Sequence, residues 1–131
     1  MSRSTRITFG VHWVVALLLG LPLLLAPGSF LELINWVPEL FVFPASLALI
    51  SRMFGAALIG LAWGSFRSWR ASTWDQVAFN VELETVFTVL ASIGLLRHLP
   101  FSGYPWTVWA TLVVLILFAV AWILALVKER K

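Results

Sequence analysis

The chain has no cysteine, which excludes disulfides, thiolate metal sites and cysteine nucleophiles. Charge is scarce: nine Lys and Arg and six Asp and Glu stand among 131 residues, giving a net charge of +3. These basic residues form no run of the kind that marks a nucleic-acid footprint, so no nucleic-acid partner is expected. The two histidines, His12 and His98, are assigned below to opposite sides of a membrane. A metal needs several donors at one point, so neither a metal nor any other cofactor is expected. There is no glycine-rich phosphate loop, no nucleophile motif, no internal repeat and no low-complexity segment.

Apolar surface is what the chain has in excess. Its hydrophobic fraction is 61%, against roughly 45–50% for soluble domains. One domain of this length has no core large enough to bury so much, so lipid is the expected solvent. A helix crosses a bilayer with about 20 apolar residues, and four segments qualify. The expected fold is all-α: a single polytopic domain over residues 1–131, with four antiparallel transmembrane helices at about 7–26, 46–66, 74–96 and 106–127.

Residues 7–31 contain no Asp, Glu, Lys or Arg. A cleaved signal peptide is the rival reading of this start. The apolar run exceeds the usual ~7–15 residues and lacks a small-residue cleavage site, so a retained first span is expected. Pro22 is expected to kink its outer end, and Pro27-Gly28 to stop it. Residues 29–45, punctuated by Glu32, Asn35, Pro38, Glu39 and Pro44, are too broken to span. They form either a short interfacial helix with Leu31, Ile34 and Trp36 as anchors, or an ordered loop over the bundle mouth. In the second span Ala56, Gly60 and Gly64 recur every fourth residue, a small-residue row through which another helix can approach closely, within the chain or between chains. Ser72 or Thr73 is placed to cap the third helix ahead of Asp75.

Arg3, Arg6, Arg67, Arg70, Lys128, Arg130 and Lys131 fall on one side of this layout, and Arg52 and Arg97 on the other. Seven against two places both termini in the cytoplasm. The expected location is a bacterial inner membrane, crossed several times.

Ionisable residues inside a membrane are costly and pair with one another. Arg52, Asn80, Glu82, Glu84 and His12 are therefore the candidates for a binding site or buried polar network. At about 1.5 Å of rise per residue, Glu84 lies roughly 15 Å and Arg52 roughly 21 Å from the cytoplasmic surface. An arginine spans that difference, so an Arg52–Glu84 pair is one expectation. Arg52 snorkelling to headgroups, with Glu84 protonated, is the other. His12, roughly 8 Å deep, and Glu82, roughly 12 Å deep, are placed for a contact. Glu82 and Glu84, two positions apart on a helix, point nearly opposite ways, which argues against a paired-carboxylate catalyst. No catalytic residue is assigned.

The segment Ser51-Arg52-Met53-Phe54-Gly55-Ala56-Ala57-Leu58-Ile59-Gly60, with its Arg-x-x-Gly-Ala-x-x-x-Gly core, resembles the opening of the second span in small bacterial four-helix membrane proteins of the DoxX-like type. The layout of the whole chain is similar to theirs. The resemblance implies a fold and supplies no chemistry. The functional expectation is a non-enzymatic accessory or scaffold subunit of a larger membrane complex, with a membrane-protein partner or a second copy of itself. The alternative is a binder of a lipid-like or quinone-like molecule between the second and third spans near Arg52, Asn80 and Glu84. A proton or ion pathway through Glu82, Glu84 and His12 is a third reading.

Overall fold

The computed structural model describes residues 1–37, 42–99 and 103–129. The expectations for Pro38, Glu39, Pro100–Ser102, Arg130 and Lys131 lie outside these residues. Among the described residues five helices follow in order: α1 Arg3–Leu25, α2 Pro27–Leu33, α3 Ala45–Trp69, α4 Ala78–His98 and α5 Trp106–Glu129. All but α2 are long and apolar enough to cross a membrane, so the chain is a multi-pass, all-helical membrane protein.

Local chemistry sets the helix ends. Ser2 caps α1, its hydroxyl accepting from the Thr5 amide at 3.3 Å. Pro22 is carried inside α1, whose regular structure runs on to Leu25. Pro27-Gly28 does not lead into a loop. Pro27 instead opens α2, because a first-turn proline gives up an amide that has no helical partner anyway. At the far end of α2, Asn35 turns left-handed at φ 54°. The Trp36 amide then reaches back to the Leu31 carbonyl at 2.7 Å, and the Asn35 amide to that of Glu32 at 2.9 Å. This is the helix-ending motif of two back-reaching amides, with asparagine in the place glycine usually takes. Leu31 is buried with Leu23 and Leu58, and Ile34 and Trp36 pack against them. The segment after the first span is thus a short helix, and its apolar side closes the bundle mouth.

The third spanning helix begins at Ala78, later than the expected Trp74. The Gln76 side chain accepts from the amides of Ser72 and Thr73 at 3.2 and 3.5 Å. That holds residues 72–77 in turns and leaves Val77 as a helix start with no side-chain cap. Neither Ser72 nor Thr73 caps the helix.

α1 packs chiefly against α3, and α4 against α5. The first pair is antiparallel and brings its backbones together at Gly20 and Gly55, where a Cβ on Gly55 would sit 2.6 Å from the Leu24 amide nitrogen and 2.8 Å from the Gly20 carbonyl oxygen. Gly20 and Gly55 form this seam in place of the expected Ala56–Gly60–Gly64 row. Ala56 and Gly60 are exposed, and a Cβ on Gly60 would meet nothing within 4 Å. Gly64 faces Asn80. Both rows have helical spacing; what separates them is rotation of α3 by one residue, about 100°.

Much of the interior is small, with Ala16, Gly20, Gly55, Ala62, Ser65, Ala119 and Ala125 buried. Leu18, Leu90 and Leu117 face outward, more than 60% exposed. This distribution suits a lipid surround, where contact between helices comes from close backbone approach and the large apolar side chains meet acyl chains.

Candidate functional site

The buried stripe of α1 runs Thr5, Phe9, His12, Ala16, Gly20, Leu23, and that of α3 runs Ser51, Gly55, Leu58, Ala62, Ser65, Ser68. On α4, Val81, Glu84, Thr88 and Ser92 are buried. Each stripe follows the three- and four-residue spacing that keeps side chains on one helical face. Where the three stripes meet, one polar residue from each helix converges. His12 Nδ1 lies 2.9 Å from Ser65 Oγ. Ser65 donates its hydroxyl to Glu84 Oε1 at 2.9 Å, and the same carboxylate oxygen is 3.3 Å from His12 Nδ1. Ser65 and Glu84 are fully buried, and His12 is 5% exposed.

The donor order follows from hydrogen count. With Glu84 ionised, Ser65 spends its one hydroxyl hydrogen on the carboxylate, so its oxygen accepts from His12, whose Nδ1 then carries the proton. Two atoms close by have no hydrogen-bond partner among the described residues: Glu84 Oε2 and Trp122 Nε1. The Trp122 ring lies edge-on to His12 with centroids 5.7 Å apart, and Phe118 is edge-on at 4.8 Å.

This set is not a hydrolytic triad. In such a triad the imidazole stands between hydroxyl and carboxylate, each on a different ring nitrogen. Here both lie against Nδ1, and the serine donates straight to the carboxylate. The arrangement orders the His12 ring and does not activate Ser65.

A cavity of about 330 Å³ adjoins His12, with Val15, Ala16, Leu19, Leu58, Phe87, Thr88, Thr111 and Phe118 among its walls. Its rim includes Leu18, Leu19 and Val114, all exposed, so it opens on the lipid-facing side of the bundle. A second cavity, about 410 Å³, lies beneath α2, with Phe30, Leu31, Ile34 and Trp36 in its wall. The two share Leu19, Leu58 and Thr111.

Of the residues singled out from sequence, His12 and Glu84 come together. Arg52 is exposed, and the partners of Glu84 are Ser65 and His12, so the expected Arg52–Glu84 pair is not formed. The late start of α4 explains the difference. Glu84 sits four residues nearer the helix start than a Trp74 start implies, opposite Ser65, which is about 20 Å along α3 from Arg52 at about 1.5 Å per residue. His12 meets Glu84 and not Glu82; Glu82 faces outward. Asn80 donates from Nδ2 to Ser68 Oγ at 3.1 Å, a second polar link between α3 and α4. Among the described residues no three His, Cys, Asp or Glu side chains gather to hold a metal ion.

Three contributors escaped the sequence reading: Ser65, Trp122 and Thr88. A usable signal for Ser65 was present, because Ser51, Gly55, Ala62 and Ser65 form a second small-residue face on α3 beside the one with Ala56 and Gly60. At the end of the bundle where α1 begins and α5 ends, Glu129 accepts from Thr5 Oγ1 at 3.1 Å and from the Ser2 amide. No protein-family model matches the chain, and no match was found among curated proteins or solved structures.

Proposed function

We propose that this protein binds a lipid-like or quinone-like small molecule in the cavity beside His12. The observation that carries the reading is the joint placement of an apolar cavity of about 330 Å³ and a histidine oriented by Ser65 and Glu84 from two other helices. Binding sites of this kind pair apolar walls with a few fixed polar groups. The site differs from the one expected between the second and third spans near Arg52, because the cavity is walled mainly by α1, α4 and α5. Ala110→Trp, which fills the cavity from α5, is expected to abolish labelling of the protein by a photoactivatable fatty-acid analogue. Val113→Trp, on the exposed side of the same helix, should leave labelling unchanged. Equal labelling of the two variants would overturn the cavity as the site.

An accessory-subunit role is favoured by a different observation, the uncovered strip of Ala56 and Gly60 on α3, which admits a partner helix at close range. Mass spectrometry of the protein purified in mild detergent tests this through a partner whose recovery is lost in Gly60→Leu. A proton or ion pathway is disfavoured, since Glu84 is buried and Glu82 exposed.

The proposed setting is a bacterial inner membrane with both termini cytoplasmic, on the seven-to-two basic asymmetry, in keeping with the DoxX-like resemblance. Single cysteines in this cysteine-free chain report the sidedness. Ser29 and Ser72 are exposed, whereas Ser68 is buried. In intact cells an impermeant thiol reagent is expected to label Ser29→Cys and spare Ser72→Cys. The reverse pattern would invert the orientation.

A further inference from the structure

The polar atoms around the cavity are all committed in the same sense. Its three polar side chains are His12, Thr88 and Thr111. Thr88 donates its hydroxyl to the Glu84 carbonyl at 2.7 Å, and Thr111 donates to the Thr107 carbonyl at 2.9 Å. Each hydroxyl has a single hydrogen, so neither threonine has one left to donate to a guest. Opposite an ionised Glu84, Ser65 donates to the carboxylate and His12 Nδ1 donates to Ser65. In a neutral imidazole that leaves Nε2 as an acceptor, and among the described residues Nε2 has no hydrogen bond. The cavity thus offers acceptors and no side-chain donor.

Resting on the binding-site reading above, we infer that this cavity selects a lipophile whose head donates a hydrogen bond, a phenol or alcohol, over one whose head only accepts, an ether or ketone. Of a quinone-like pair it takes the hydroquinone. The donor's hydrogen lies on His12 Nε2. An acceptor-only head would set lone pair against lone pair in an apolar site, with no water to relieve it. The size agrees: a cavity of about 150 Å³ suffices for benzene, so this one holds a substituted ring. The cavity beneath α2, sharing Leu19, Leu58 and Thr111, extends the room for a chain.

Three probes of nearly equal shape separate the possibilities: para-hexylphenol, its methyl ether para-hexylanisole, and hexylbenzene. Each is equilibrated, radiolabelled, between nanodiscs carrying the full-length protein and empty nanodiscs. The phenol is expected to bind at least about tenfold more tightly than the other two. In His12→Phe, which keeps a ring against Phe118 and removes the acceptor, that preference should fall to about twofold or less. Should the variant not fold, the wild-type comparison decides alone. Equal binding of the three probes, or tighter binding of the ether, would overturn donor selection and leave the cavity reading standing. Binding of none would overturn both.

Discussion

Glu84→Ala is expected to cost roughly 3 kcal/mol in reversible unfolding from mixed detergent micelles. The carboxylate is fully buried and accepts from Ser65, with His12 Nδ1 3.3 Å away. Its removal strands buried donors at about 1–3 kcal/mol each and leaves a void between α1, α3 and α4. Some of this is recovered, since Ser65 can turn its hydroxyl toward His12 once the ring changes tautomer. Glu84→Gln keeps an acceptor for Ser65 and should cost less, about 1 kcal/mol. A double-mutant cycle of His12→Ala with Glu84→Ala is expected to show coupling of about 1–2 kcal/mol. Arg52→Ala, at an exposed position, should stay within about 0.5 kcal/mol. Strong coupling of Glu84 to Arg52 with none to His12 would reverse the assignment of partners.

The other large effect is expected at Gly55. A Cβ there would lie 2.6 Å from the Leu24 nitrogen, 2.8 Å from the Gly20 oxygen and 3.0 Å from the Leu23 carbonyl carbon. All three are backbone atoms, so no side-chain rotation relieves the clash and α1 must shift as a body. Gly55→Ala is therefore expected to destabilise by about 3 kcal/mol, the upper end of overpacking costs. Gly60→Ala, five positions on, has no neighbour to strike. It should be neutral or stabilise by up to about 1 kcal/mol through the lower backbone entropy of alanine. Because the Gly20–Gly55 seat sets how α1 lies on α3, Gly55→Ala should also disturb the His12–Ser65 contact and weaken binding in the adjoining cavity. Equal stability of Gly55→Ala and Gly60→Ala would place the seam on the wrong face.

The Gly55 and Gly60 variants turn on an ambiguity of rotation. Helical periodicity says which residues share a face, but not which face turns inward. Ala56–Gly60–Gly64 and Ser51–Gly55–Ala62–Ser65 are both small-residue rows on α3. The choice rests on what α1 presents, and Gly20 lies opposite Gly55. The Arg52–Glu84 expectation failed on depth instead: Glu84 stands beside Ser65, about 20 Å along α3 from Arg52.

What the amino-acid order determined alone was the architecture: four apolar stretches of membrane-crossing length, a broken segment between the first two, and no metal-binding or nucleophile motif. Those features depend on composition and on interactions within a few residues, which act before any helix meets another. The divergence of Glu82 and Glu84 was legible for the same reason, since helix pitch alone sets the angle between neighbours on one helix. The start of α4 is also set locally, by Gln76 on the Ser72 and Thr73 amides; only the tertiary structure decided that Glu84 stands beside Ser65 and that His12 completes the group from α1. Those three side chains come from helices distant in sequence. Their meeting depends on the rotation and depth of each helix; for α1 and α3 both are set by close packing at Gly20 and Gly55, which no local pattern encodes.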